Sequence, residues 1–294
     1  MAASALRIRC PAKINLGLWI LGRRPDGYHE IDTVMQTVSL EDELLLERGG
    51  EGFELATRGL PIPANSPNIL ERVWELIAAR NPPAGVRVRL TKRIPVAAGL
   101  GGGSSDAAGF LVGLDRLLGL DLSKEEIRDL AARLGSDVTF FLKGGTARAT
   151  GRGEQVRHLC PAPPGWIVLA TPPVAISTTW AYERVKIPLT LAGRSASILA
   201  AAIASQDWRS ISPHFHNDFE DAVLSEFEVV AGLRRALDAS GVLGSLLSGS
   251  GSTVFGLART RDEAQSAART AAALGASVHV VRTTERGVAL AGLS

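Results

Sequence analysis

Four glycines crowd into Pro95-Val-Ala-Ala-Gly99-Leu-Gly101-Gly102-Gly103-Ser104-Ser105-Asp106, and an apolar repeat at helical spacing, Phe110, Leu111, Leu114, Leu117 and Leu118, follows at once. Clustered glycines cost chain entropy on folding, so a fold that keeps them uses their backbone. Placed before a helix, they let the backbone come close to an anion. The free amides of the first helical turn, reinforced by the helix dipole, then point at it. Ser104 and Ser105 add hydroxyl donors. The spacing sets aside two familiar phosphate loops. Five residues after Gly99 stands Ser104, where both the Walker pattern and the dinucleotide fingerprint need a glycine; the lysine that the Walker pattern needs next is missing too. Gly103-Ser104-Ser105-Asp106-Ala107 misses the Gly-x-Ser-x-Gly elbow by one residue, which keeps a hydrolase built on Ser105 as a minor alternative.

The flanking segments read as mixed α and β structure. Residues 6–20 and Thr33–Glu47 have strand character, with a Pro/Asp/Gly loop, Arg23–Glu30, between them. Ser66 and Pro67 are expected to cap and open a helix that buries Ile69, Leu70, Val73, Leu76 and Ile77. Val86–Leu90 alternates as a strand, and Ser123 with Glu126 forms a capping box for a helix stopping at Gly135. After the Pro161–Gly165 punctuation come strands at Trp166–Ala170, Ser252–Ala258 and Val278–Arg282, with a Thr260-capped helix running to Leu274. Segregated rather than alternating elements predict an α+β fold of two domains, residues 1–155 and 156–294.

Thirty-two Lys and Arg against 30 Asp and Glu leave +2, spread along the chain. That balance argues against a nucleic-acid partner recruited by bulk charge. The most apolar long window, Ile94–Leu114, carries Asp106 and many glycines, so neither a membrane span nor membrane association is expected. Cys10 and Cys160 can make no disulfide framework, and point to a reduced, cytoplasmic protein. His214-x-His216 has no third ligand at a familiar spacing, so no protein-held metal is expected there.

The Pro95–Ser105 segment resembles the phosphate loop of the GHMP kinase superfamily. Pro11-Ala-Lys-Ile-Asn-Leu, Asp26-Gly-Tyr-His-Glu, Gly135-Ser-Asp-Val-Thr-Phe-Phe and Ser248-Gly-Ser-Gly-Ser252 resemble further motifs of the same superfamily, in the same order, over roughly residues 10–258. The resemblance implies a ribosomal-protein-S5-like N-terminal domain and a ferredoxin-like C-terminal domain, with the site between them. It implies an ATP-dependent kinase with a small-molecule acceptor, the 2-hydroxyl of a cytidyl-diphospho alcohol, and Mg²⁺ arriving with ATP, for which Ser105 is a possible ligand.

Residue by residue, the same resemblance makes Asp137 the base for the acceptor hydroxyl and Lys13 the cation beside it. ATP is expected along Pro95, Val96, Ala97, Ala98, Gly99, Leu100, Gly101, Gly102, Gly103, Ser104 and Ser105, with Asn68 at the adenine. Tyr28 and His29 resemble a cytidine pocket, with Tyr182 as a second stacking face, Thr178 nearby and Asn15 toward the sugar or diphosphate. The segment Thr171–Pro173 and Trp180 depart from the family pattern. The physics of a cytidine pocket agrees: an aromatic face stacks on a base, and imidazole and backbone groups read its edge.

Overall fold

A computed structural model describes residues 4–62, 68–79, 84–185 and 195–291. Its frame is one long antiparallel hairpin, β1 (Ala5–Arg23) and β2 (His29–Arg48), closed by the 24–28 turn. Three register shifts, at Pro11/Ala12, Asn15/Gly17 and Ile20/Gly22, bend the pair. β3 (Phe53–Gly59), helix α1 (Ile69–Ala78) and β4 (Val86–Lys92) follow. α1 is capped by Asn68, whose side chain accepts from the Leu70 N–H at 3.0 Å. That corrects the expected start: Ser66 and Pro67 lie outside the described residues, and the helix begins two residues beyond them. Of its predicted face, Leu70, Val73 and Ile77 are buried, while Ile69 and Leu76 are half-buried.

β4 runs through the glycine segment into α2 (Gly102–Leu118), so the last two glycines of the cluster are already helical. α3 (Lys124–Leu134) carries the Ser123/Glu126 capping box and ends at Gly135. The single turn α4 (Val138–Phe141) and the hairpin β5 (Thr146–Thr150) and β6 (Gln155–His158) complete this part. β6 belongs to the first sheet, which therefore runs past the expected division after residue 155.

The second part opens with β7 (Trp166–Thr171), then the short helices α5 (Thr178–Arg184), α6 (Ala196–Ile203) and α7 (Trp208–Ile211). β8 (His216–Asn217), α8 (Glu220–Glu226), α9 (Glu228–Ala239), β9 (Gly244–Leu247), β10 (Val254–Ala258), α10 (Arg261–Ala273), β11 (Ser277–Arg282) and β12 (Ala289–Ala291) follow. β7, β9, β10 and β11 form a four-stranded antiparallel sheet in the order β11-β7-β10-β9. That 4-1-3-2 arrangement of a βαββαβ unit is the ferredoxin-like pattern. β8 and β12 instead cross back to pair with β1.

Three apolar clusters stack these layers. Ile8, Cys10, Leu44, Leu46, Val86, Val88 and Leu90 face Phe110, Leu111, Leu114 and Leu117 of α2. On the opposite face of the hairpin, Ala12, Ile14 and Leu16 meet Ile167, Leu169, Phe255 and Leu257. Val168, Ala170 and Val254 then pack beneath α9 and α10. Alternation along β7 assigns its odd residues to one cluster and its even ones to the other, as a strand buried on both faces requires. The middle of β1 is therefore enclosed from both sides. Any charge placed there must be paired.

Candidate active site

A cleft of about 1150 Å³ lies between the two parts, lined by β1, the 27–29 turn, the 95–103 segment, Asn68, Ser136 and Asp137, α5 and the 249–251 loop. Two glycine loops form its floor, and each holds the other. Ser248 Oγ donates to the Gly99 carbonyl at 2.9 Å, and the Thr253 N–H donates to the Ala98 carbonyl at 3.2 Å. Gly99 has φ +75, and a Cβ on it would collide with the Ser248 carbonyl; only glycine serves there. Gly101, at φ +70, is the left-handed N-cap of α2. The first amides of a 17-residue helix thus open onto the cleft.

Lys13 is brought here by β1 and pinned by its backbone N–H to the Leu100 carbonyl at 2.9 Å. Its side chain is buried, donates to Asn15 Oδ1 at 2.6 Å and lies 3.5 Å from Asp137 Oδ2. Asn15 in turn donates to Thr33 Oγ1 at 2.8 Å, and Thr33 donates to the Gly17 carbonyl at 2.6 Å. The ammonium is thus held from behind by an amide and from the front by a carboxylate. Asp137 occupies the N-cap position of α4 without capping it, and its side chain is 31% exposed. A carboxylate left unspent at a helix start beside a buried lysine is available to a substrate hydroxyl. Asn15 lines the cleft, yet its amide is spent on Lys13 and Thr33; it meets Lys13 rather than standing free for a ligand.

At the other end of the cleft, Tyr28 is 55% exposed, with the Arg152 guanidinium 4.9 Å from its ring centroid. His29 stacks on Tyr182 at 4.6 Å and 17°, and the Phe219 ring closes on Tyr182 edge-on at 4.9 Å. One face of Tyr182 is covered by His29 in this arrangement, while Tyr182 still lines the cleft. Burial, with the charge of Arg23 adding, pushes the His29 imidazole below its ordinary value. Burial and then the Asp137 charge push the Tyr182 hydroxyl up to about 12. Thr178 Oγ1 lies 3.2 Å from Ser250 Oγ, joining α5 to the second glycine loop.

The structure corrects one of the expected phosphate ligands. Ser104 lines the cleft, but Ser105 is completely buried and lies outside its lining. It is one residue further round α2, turned into the core, which removes it as a ligand for Mg²⁺ and as a hydrolytic nucleophile. Gly103 is exposed with nothing within 4 Å of a Cβ, whereas a Cβ on Gly102 would stand 2.9 Å from Ile94 Cγ2 and 3.2 Å from Lys92 Nζ. Pro95, Val96, Ala97, Ala98, Leu100 and Asn68 all line the cleft, although Asn68 Oδ1 is already used in capping α1.

A buried charge cluster went unread in the sequence. Lys92 donates to Asp42 and, at 2.8 Å, to Asp106. Asp42 also accepts from the Arg93 and Ile94 N–H groups at 2.5 and 2.9 Å, whereas Asp106 Oδ1 has no partner. Burial, with the Asp42 charge adding and Lys92 opposing, pushes the Asp106 carboxyl up to about 8. Burial works against the Lys92 charge, yet the two carboxylates carry its ammonium above its ordinary value. A signal existed. Val86, Val88 and Leu90 alternate inward, and Lys92 is next on the same face.

The family models decide what this cleft belongs to. Residues 68–145 match the GHMP kinases N terminal domain and residues 199–277 the GHMP kinases C terminal. A 4-diphosphocytidyl-2-C-methyl-D-erythritol kinase of Pelotomaculum thermopropionicum is 42% identical over 259 residues, 87% of this chain and 90% of that one. The chain belongs to the 4-diphosphocytidyl-2-C-methyl-D-erythritol kinases of the GHMP family. The kinase of the same name from Geobacter sulfurreducens is 40% identical over 90% of this chain and 93% of its own. A crystal structure of a 4-(cytidine 5'-diphospho)-2C-methyl-D-erythritol kinase superposes with a TM-score of 0.81 at 35% identity, covering 95% of this chain and 99% of that one. Mevalonate kinase of L. major shares the fold alone, with a TM-score of 0.77 at 16% identity. The two-domain kinase fold expected from the motifs is therefore the one present.

Proposed function

We propose that this kinase transfers the γ-phosphoryl group of ATP to the 2-hydroxyl of 4-diphosphocytidyl-2-C-methyl-D-erythritol, giving the 2-phosphate and ADP, a step in non-mevalonate isoprenoid precursor synthesis. The observation that carries the reading is the Lys13–Asp137 pair, 3.5 Å apart beside the glycine loop. Phosphoryl transfer asks a protein mainly for positioning and charge stabilisation. Asp137 orients the acceptor hydroxyl and takes its proton as the oxygen–phosphorus bond forms and the bond to ADP breaks. Lys13, fixed by Asn15, lies beside the oxygen on which negative charge develops. Gly103, Ser104 and the first amides of α2 hold the phosphates. Tyr28 and His29 take the cytosine, and Asn68 sits at the adenine end. Because His29 covers one face of Tyr182, the exposed Tyr28 ring is the more open stacking face for the base.

Among the described residues no group of three His, Cys, Asp or Glu side chains is arranged to hold a metal, and the cleft carboxylate Asp137 is paired with Lys13. Mg²⁺ brought in by the triphosphate would neutralise phosphate charge in this cleft. No helix among the described residues is long and apolar enough to cross a membrane. With two cysteines, both free thiols, the reading places the enzyme in the cytoplasm. The test is a panel: ATP and Mg²⁺ with the cytidyl-diphospho alcohol, mevalonate, homoserine and galactose, following ADP release. Turnover of the cytidine compound alone is expected. Turnover of a small alcohol but not of the cytidine compound would overturn the assignment.

A further inference from the structure

The segment His216-Asn-Asp-Phe-Glu220 carries no reacting group, with Phe219 alone of its residues on the cleft wall, yet it joins the strand that carries Lys13 to the second glycine loop. Its base is anchored on β1. β8 lies parallel to β1 opposite Gly17 and Leu18, and the Asp218 N–H donates to the Leu18 carbonyl at 3.1 Å. Asp218 Oδ2 accepts from the Ile20 N–H at 2.6 Å, while its Oδ1 lies 2.6 Å from His216 Nε2. The His216 ring stacks on Trp19 at 5.3 Å. The histidine that tempts a metal reading is thus part of an anchor.

From that base Asn217 reaches into the second loop. Its Nδ2 donates to the carbonyls of Leu247 and Gly249, each at 2.8 Å. Glu220 Oε1 accepts from the Leu247 N–H at 2.9 Å, so this residue is gripped at both its polar groups. Beyond it, Ser248 holds Gly99, and a Cβ on Gly249 would lie 3.3 Å from Lys13 Nζ and 3.4 Å from Asn15 Oδ1. Gly249 is therefore a wall of the Lys13 pocket, and Asn217 sets where that wall stands. Asn217 is buried, and all of its amide bonds are internal.

We infer that Asn217 is a positioning residue for phosphoryl transfer: through Gly249 and Ser248 it fixes where the second glycine loop stands against the Lys13 ammonium and the phosphate loop. The inference rests on the kinase reading above. Misplacing a reacting group by about 1 Å costs about 10²-fold in rate, and a slackened loop has that scale of freedom.

The two halves of the Asn217 amide can be separated. Oδ1 accepts from the Phe219 N–H at 3.0 Å and so seats Phe219 against Tyr182; Nδ2 holds the loop. Asn217→Asp keeps the first and loses the second. Steady-state kinetics of this variant should show kcat at least about tenfold lower, KM for ATP raised about threefold or more, and KM for the acceptor within about twofold of wild type. Asn217→Ala, which also frees Phe219, should raise the acceptor KM as well. A folded Asn217→Asp with kcat within about twofold of wild type, or one whose acceptor KM rises as the alanine variant's does, overturns the inference. If Asn217→Asp does not fold, Ser248→Ala decides: it removes the link to Gly99 alone and should raise KM for ATP about threefold, and an unchanged KM overturns the inference. Wild-type enzyme runs beside them, and its failure to phosphorylate the cytidine alcohol would sink the functional reading instead.

Discussion

Gly102 and Gly103 are adjacent and chemically alike, but a side chain would meet different surroundings at each, which lets the anion-site argument be tested without disturbing the fold. A valine at 102 would press its Cβ to 2.9 Å from Ile94 and 3.2 Å from the Lys92 ammonium, which is tied to two buried carboxylates. Overpacking of that kind costs about 1–3 kcal/mol, so Gly102→Val should lower Tm and confound any binding measurement. A Cβ at 103 meets nothing within 4 Å and points into open space. Val is a slightly better helix former than Gly, by a few tenths of a kcal/mol, so the fold should hold. What Gly103→Val removes is room for the phosphates at the start of α2. A hydrogen bond to a charged group is worth about 1.5–3 kcal/mol, so losing one weakens ATP by about 10- to 150-fold. Calorimetric titration of a non-hydrolysable ATP analogue, beside thermal unfolding, reads both quantities. A folded Gly103→Val that binds the analogue as wild type does would refute the placement of the phosphates against α2.

Three further outcomes are expected. Asp137→Asn should cut kcat by about 10²- to 10⁴-fold, the usual worth of a general base, with ATP still bound; a fall of less than about tenfold removes the base assignment. Tyr28→Ala should raise KM for the cytidine substrate by about 5- to 150-fold, the worth of one base stack, and leave KM for ATP nearly unchanged; the reverse pattern would exchange the two ligands. The third is a pH effect on stability. The folded carboxyl of Asp106 is pushed up to about 8 from an ordinary 3.8, so the folded chain binds this proton more tightly than the unfolded one. Its contribution to stability is whole below 3.8 and is lost as pH rises to about 8. Asp106→Asn cannot ionise, so its Tm should gain on wild type across that window and keep the gain above it; parallel Tm–pH curves would count against a buried, protonated Asp106.

Much of the fold is legible because local rules and tertiary packing agree. The Ser123/Glu126 box and the Thr260 cap stand where hydrogen-bonding side chains and apolar periodicity coincide. The start of α1 is less legible, since Ser66, Pro67 and Asn68 all suit a helix start; among the described residues Asn68 caps the helix by accepting from the Leu70 N–H. The strands β8 and β12 are too short to carry a periodic signal, three residues at most, and their place beside β1 is decided by tertiary contact. Local reading likewise leads one to expect the chain to divide at residue 155. It has no way of finding that the last strand returns to the first.

The site divides along the same line. Motifs mark its residues, but no local rule pairs Lys13 with Asp137 or brings Ser248 to Gly99, because each contact spans more than a hundred residues and is made by tertiary packing, the first of β1 against the start of α4 and the second between the two parts. What sequence can supply is direction. In a helix of 3.6 residues per turn, one step from Ser104 to Ser105 is a rotation of about 100°, enough to carry a hydroxyl from the cleft into the core. Asp106, four residues before Phe110, shares its inward face. A carboxylate on a core-facing helix position and a lysine on a core-facing strand position each violate the apolar pattern of their own element. Two such polar violations, in elements joined by one loop, can satisfy one another by meeting beneath it, and here Lys92 meets both Asp106 and Asp42. In the fold the Lys92–Asp106 hydrogen bond ties α2 to the end of β4, which is the geometry that aims the first turn of the helix at the cleft.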